Sequence, residues 1–188
     1  MMDAATLEGG FAEAPVEAAR AFRAAMEAMA RPGRIEALSG ASGPAPLSEA
    51  AATLILTLCD PETPLHLAGD WNCAAVRGWV TFHTGAPLVG AGDAMFAVGS
   101  WEAFAPLDDY RIGTPEYPDR SATLIVEVDR LVAEGATLRG PGIRDTAALS
   151  LPDVEAFQRN ARLWPLGLDM FFTCGRSVAA LPRTTKVS

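Results

Sequence analysis

The amino-acid sequence predicts an α/β domain in which a mixed sheet is covered by helices, and three observations carry that expectation. Segments with a two-residue apolar period alternate with segments of three- and four-residue period over most of the length. One run, Ala122 to Val128, is so continuously apolar as far as Glu127 that it reads as an interior strand, buried on both faces. Near the end, Leu168 to Thr173 and Ser177 to Leu181 are two apolar runs joined at Gly175 and bounded by Gly167 and Pro182. They read as a strand, a tight turn and a second strand that adds an antiparallel edge.

The elements follow in order. Residues 1 to 14 are small and polar enough to be mobile, and Pro15 is placed to open a helix running to about Ala30. Val16, Ala19, Phe22, Met26 and Met29 recur at helical spacing, so the larger apolar side chains are expected to face the core, with Arg20, Arg23 and Glu27 off that face. Arg31-Pro32-Gly33 stops the helix, and Arg34 to Leu38 alternates as a half-buried strand. Ser48 is a good N-cap for a helix through Leu58 with Ala51, Leu54, Ile55 and Leu58 inward, ended by Asp60-Pro61. Pro64 to Ala68 is a short strand, Asp70 or Asn72 can cap a helix through about Thr81, and His83 to Pro87 is a turn. Ala94 to Val98 is the next strand, Trp101 to Pro118 a helix-poor insertion, and Thr137 to Arg139 a further short strand. Pro152 to Leu163 is a last helix, with Ser150 as its expected cap.

Composition limits the chemistry. The 188 residues, 49% hydrophobic and 20% charged, can bury one substantial core, so residues 15 to 188 are expected to form a single domain. No apolar run is long enough for a membrane span, and Met1 to Gly10 lacks the pattern of a signal peptide, so a cytoplasmic protein with no membrane partner is expected. Cys59, Cys73 and Cys174 are odd in number and widely spaced, which suits buried small hydrophobes rather than a zinc or iron-sulfur site; no metal site is expected. A net charge of -8 argues against nucleic acid as a partner. Lys186 is the single lysine. A pyridoxal phosphate enzyme needs a Schiff-base lysine inside its fold, and a P-loop needs a lysine after its glycines, so neither chemistry fits.

Four places could carry function. His83, followed by Gly85 and Pro87, can act as an acid or base near neutral pH, hold an anion, or simply cap a backbone carbonyl. Arg139-Gly140-Pro141-Gly142-Ile143-Arg144 sets two guanidinium groups around freed backbone amides, which suits a phosphate or phosphonate and equally suits a tight turn. Arg183, Thr184, Thr185 and Lys186 put two cations and two hydroxyls on one segment, either a second anion surface or a solvated tail. Asp169, a carboxylate inside the last strand pair, must either pair or face a groove.

Several segments together resemble the PhnH family of carbon-phosphorus lyase subunits. They are Pro165-Leu166-Gly167-Leu168-Asp169 and Leu181-Pro182-Arg183-Thr184-Thr185, with Phe22-Arg23, Met26, Met29 and Pro32-Gly33 before them. Leu56-Thr57-Leu58, Thr63-Pro64, Phe82-His83-Thr84, Ala86-Pro87-Leu88, Ala122-Thr123-Leu124-Ile125 and Gly140-Pro141-Gly142-Ile143 complete the series. Their order over about residues 20 to 187 carries the resemblance. It implies a fold like that of the pyridoxal phosphate-dependent transferases without the cofactor, so no cofactor is expected on this chain. It further implies a homodimer within an assembly of other lyase subunits, working in phosphonate catabolism. The step implied uses ATP as co-substrate with a phosphonate to make a ribose 1-phosphonate 5-triphosphate and release adenine. Two roles fit. In one, a groove near His83, Arg139 and Arg144, with Arg183 and Lys186 as further anion ligands, takes part in that step. In the other, the subunit is a scaffold that positions catalytic partners.

Overall fold

A computed structural model describes residues 7–188. The mixed α/β expectation holds: a six-stranded sheet runs in the order β1-β8-β7-β4-β3-β2, beside a three-stranded sheet of order β6-β5-β9. The strands are β1 (Glu36–Ala37), β2 (Leu65–Leu67), β3 (Phe96–Ser100), β4 (Thr123–Glu127), β5 (Ala136–Arg139), β6 (Ala147–Leu149), β7 (Asp169–Cys174), β8 (Ser177–Leu181) and β9 (Lys186–Val187). The helices are α1 (Ala14–Ala30), α2 (Glu49–Leu58), α3 (Ala74–Thr84) and α4 (Val154–Arg162).

β2, β3, β4 and β7 are parallel, while β8 runs antiparallel to β7 and β1 antiparallel to β8. β4 is interior, as its apolar run requires. Alternate side chains serve opposite faces of the sheet. Ile125, Phe171 and Val178 pack under the layer of α1, α2 and α3. Leu124, Val126, Phe172 and Ala179 pack under α4 and the small sheet, with Phe157, Leu138 and Leu149. The C-terminal hairpin does not form the rim of the sheet, because β7 lies between β4 and β8 and β1 adds one more strand outside β8.

The expected face of α1 is reversed. Ala21, Ala25 and Ala28 are buried, while Phe22 and Met26 are 50% and 56% exposed. The cause is close approach: α1 lies against α2 and β8, which present Ala50, Ala51 and Ala180 to the same core. Small side chains on all three elements leave no room for Phe22 or Met26 at that contact. α2 forms as expected, with Ser48 Oγ accepting from the Ala51 N–H at 3.1 Å. α3 begins at Ala74 without a side-chain cap and continues through His83 to a left-handed Gly85, later than the sequence pattern predicts. α4 is capped by Asp153, whose carboxylate accepts from the Ala156 N–H, whereas Ser150 instead donates to the Arg130 carbonyl.

The segment expected to be mobile falls partly on residues 1 to 6, which lie outside the described residues. Within residues 7–13, the Glu8 carbonyl accepts from Trp79 Nε1 at 3.0 Å, and the Ser42 N–H donates to the Gly9 carbonyl at 2.8 Å. At the other end the expected solvated tail is tied down: Val187 is buried, and β9 pairs with β5. Among the described residues, no helix is long and apolar enough to cross a membrane.

Candidate functional site

The carboxyl ends of the parallel strands open on a cleft of about 680 Å³. Open α/β sheets bind ligands at this end because the loops that follow each strand diverge there and leave a crevice. Ser100, Glu127 and Cys174, the last residues of β3, β4 and β7, all line it. So do Trp71, from a 3-10 turn after β2, Trp101, and Ser48 at the N-terminus of α2.

Glu127 is the chemical centre of this cleft. The Ser48 backbone N–H donates to its Oε1 at 2.7 Å, and the Thr173 hydroxyl donates to its Oε2 at 2.9 Å. Burial pushes the carboxyl pKa above its ordinary value, and the hydrogen bonds from Ser48 and Thr173 only partly oppose that. The Trp71 indole N–H is shielded from solvent and lacks a hydrogen-bond partner by distance and angle, yet it lies near enough to the carboxylate to ease its charge. No salt bridge to Glu127 occurs among the described residues, and Arg130, the one cation on the wall, is 3.1 Å from Glu134. A half-buried carboxyl with a raised pKa and no cation beside it can hold or give a proton closer to neutral pH than an ordinary glutamate.

The residues singled out from sequence are distributed elsewhere. His83 Nε2 lies 3.2 Å from the Glu8 carbonyl, and its ring packs on Trp79 with centroids 5.0 Å apart. Its imidazole sits against Gly10, just ahead of α1. The Arg139 to Arg144 turn lies at the other end of that helix, where a Cβ on Gly142 would come within 1.8 Å of the Ala30 carbonyl. α1 has 17 residues and is therefore about 25 Å long, so His83 and the arginine turn do not share a groove. Gly142, at φ +81°, is needed there for close packing against the helix end.

Arg183 is not a free cation either. Its guanidinium is 2.5 Å from Asp169 Oδ2, donates to the Pro118 carbonyl at 2.8 Å and bonds Ser121 Oγ, with the side chain only 11% exposed. Asp169 is thus a paired carboxylate. Arg139 and Lys186 do come together, directly opposite each other on β5 and β9, both exposed and without a salt bridge among the described residues. Arg144 is almost fully solvated, 4.0 Å from Asp145.

The family model for the bacterial phosphonate metabolism protein PhnH matches residues 9–188. The chain belongs to the PhnH family. A relative from Rhizobium meliloti (strain 1021), the alpha-D-ribose 1-methylphosphonate 5-triphosphate synthase subunit PhnH, is 40% identical over 190 residues, 95% of this chain and 94% of that protein. The putative C-P lyase subunit protein HtxG of Stutzerimonas stutzeri is 32% identical over 200 residues, 96% of each chain. The PhnH match takes in every strand and helix from α1 to β9, and with them both the cleft and the Arg139-Lys186 pair.

Sequence reasoning passed over Glu127, Trp71 and Trp101 as site residues. A signal for the first exists in hindsight: Glu127 ends the most apolar strand of the chain, and the last residue of an interior parallel strand stands at the crevice. No comparable signal exists for the two indoles. They are 30 residues apart in sequence, and only the parallel pairing of β2 with β3 brings their loops to one wall.

Proposed function

We propose that this PhnH chain is a subunit of the carbon-phosphorus lyase system for phosphonate catabolism, acting with partner subunits and not alone. The observation that carries the reading is the 40% identity, over nearly the whole of both chains, to a protein named as a ribose 1-methylphosphonate 5-triphosphate synthase subunit. The reaction in which it takes part is then the ATP-dependent formation of ribose 1-(methyl)phosphonate 5-triphosphate with release of adenine. Kinship of the sheet with the pyridoxal phosphate-dependent transferases, without that cofactor, belongs to the same proposal, as do a homodimer within the assembly and a cytoplasmic location.

The electrostatics support a non-autonomous role. Glu102, Glu127 and Asp129 line the cleft against one cation, Arg130. A triphosphate or a phosphonate entering it would be repelled unless another subunit supplied positive charge. Arg139 and Lys186 form a separate cationic pair, suited to the phosphate end of a substrate or to an acidic partner. Phe22 and Met26 add an exposed apolar stripe on α1, of the kind that marks a protein contact.

The separation of His83 from Arg139 by about the length of α1 favours the second reading, a scaffold that positions catalytic partners. The roles are told apart by co-purification and by growth on methylphosphonate in cells whose own copy is deleted. Phe22→Asp with Met26→Asp is expected to leave the isolated fold intact and to abolish capture of the partner subunits. Arg139→Ala with Lys186→Ala is expected to leave the assembly intact. Turnover that survives in that assembly makes the subunit a scaffold; turnover that is lost makes the cationic surface part of the active site.

A further inference from the structure

The geometry points to the Glu127 cleft as a site for a planar amino-heterocycle of the adenine type, gripped at its ring-nitrogen and amino edge by Glu127 and stacked against indole surface. This inference rests on the proposed ATP-consuming reaction only for the choice of base, since adenine is what that reaction would release.

The lining selects the ligand class. Trp71 and Trp101 offer flat aromatic surface, and base-on-indole stacking is tolerant of ring substitution. The excess of acidic over basic groups disfavours phosphate and leaves neutral or cationic rings as guests. A protonated carboxyl carries a donor and an acceptor in one plane. Adenine presents their complement, a ring nitrogen that accepts beside an amino group that donates. Two hydrogen bonds from Ser48 and Thr173 fix the carboxyl in place, so its edge is held ready before a ligand arrives. Burial keeps the proton on Glu127 to higher pH than usual, which suits the donor role.

Binding should therefore weaken as pH rises through the raised pKa of Glu127. The charged and titratable groups around it are Glu102 after β3, Asp129 and Arg130 after β4, Cys174 at the end of β7, and Glu49 on α2, which is held 3.4 Å from Arg176. None of these supplies a cation in contact with Glu127, so its own titration governs the profile.

The test titrates the purified full chain with adenine, unsubstituted purine and ATP, reading indole fluorescence and calorimetry between pH 5 and 8. Adenine is expected to saturate, and unsubstituted purine, which lacks the amino donor, is expected to bind at least roughly tenfold more weakly. ATP should bind no better than adenine, because its phosphates find no counter-charge. Glu127→Gln keeps a donor and an acceptor on one edge, so it should retain adenine within about threefold while its pH profile flattens. Ser100→Phe, at the residue paired with Glu127 across β3 and β4, fills the cleft and should abolish binding while keeping the glutamate. Silence of the wild-type chain toward adenine overturns the inference, as do equal affinities for adenine and unsubstituted purine or undiminished binding by Ser100→Phe. None of those results alters co-purification with lyase subunits or growth on methylphosphonate, so the failure of this site is distinguishable from failure of the proposed function.

Discussion

Asp169 and Glu127 stand on neighbouring parallel strands, at the first residue of β7 and the last residue of β4, and they illustrate two fates for a half-buried carboxylate. Asp169 meets a guanidinium, with Arg183 donating to it from the side chain and from its backbone N–H at 2.8 Å. Glu127 meets a backbone amide and a hydroxyl, and no cation. The first arrangement uses up the charge in holding the β8 to β9 segment against the amino edge of the sheet. The second leaves the charge costly and the proton available, at the edge where a cleft opens. The contrast locates structural work at one end of the sheet and chemical potential at the other.

The largest expected effect tests the first half of that contrast. Asp169→Ala strands a guanidinium whose side chain is 11% exposed, and breaking one partner of such a pair costs roughly 3–5 kcal/mol. Urea unfolding should show it as a lower midpoint at unchanged slope. Equal loss from Glu127→Ala would erase the distinction between the two carboxylates.

A smaller effect sharpens the second half. With the Glu127 pKa raised by burial, the folded chain keeps this proton over a pH range in which the unfolded chain has lost it. Stability from this group is then fully present below the unfolded value of about 4.3 and declines as pH rises through the folded value. Glu127→Gln lacks that decline. Its unfolding free energy relative to wild type is expected to improve as pH rises from the unfolded value to the raised folded value and to level off above it; a difference that does not change with pH would show the carboxyl to be an ordinary surface acid.

The smallest effect concerns the cations. Arg183 is saturated, whereas Arg139 and Lys186 face each other across β5 and β9. Like charges directly opposite repel, so Arg139→Gln should stabilise the isolated chain by roughly 0.2–1 kcal/mol, less in high salt. A loss of stability instead would mean that the pair already has an acidic neighbour.

Most of the sheet was legible because its signals are local. β4 announces itself by an unbroken apolar run, α2 by Ser48 and its alanine-leucine pattern, and the β7-β8 hairpin by Gly175. β6 and β9 were not legible: Ala147 to Leu149 and Lys186 to Val187 are too short for a period to show, and they become strands only because β5 lies between them. The α1 face was misread for a different reason. Periodicity ranks faces by hydrophobic size, while the helix is placed by how closely its neighbours approach, and alanines win that contest.

The sequence by itself determined the fold class, the interior position of β4 and, through an ordered series of segments, membership of the PhnH family. Those properties depend on residues near one another in the chain. Tertiary structure alone decided which polar groups meet: Asp169 with Arg183, Arg139 with Lys186, Glu127 with Ser48 and Thr173, and His83 far from the arginine turn. Charge pairing and desolvation act over a few ångströms of space, and distances along the chain carry no information about them until the parallel strands have set their order.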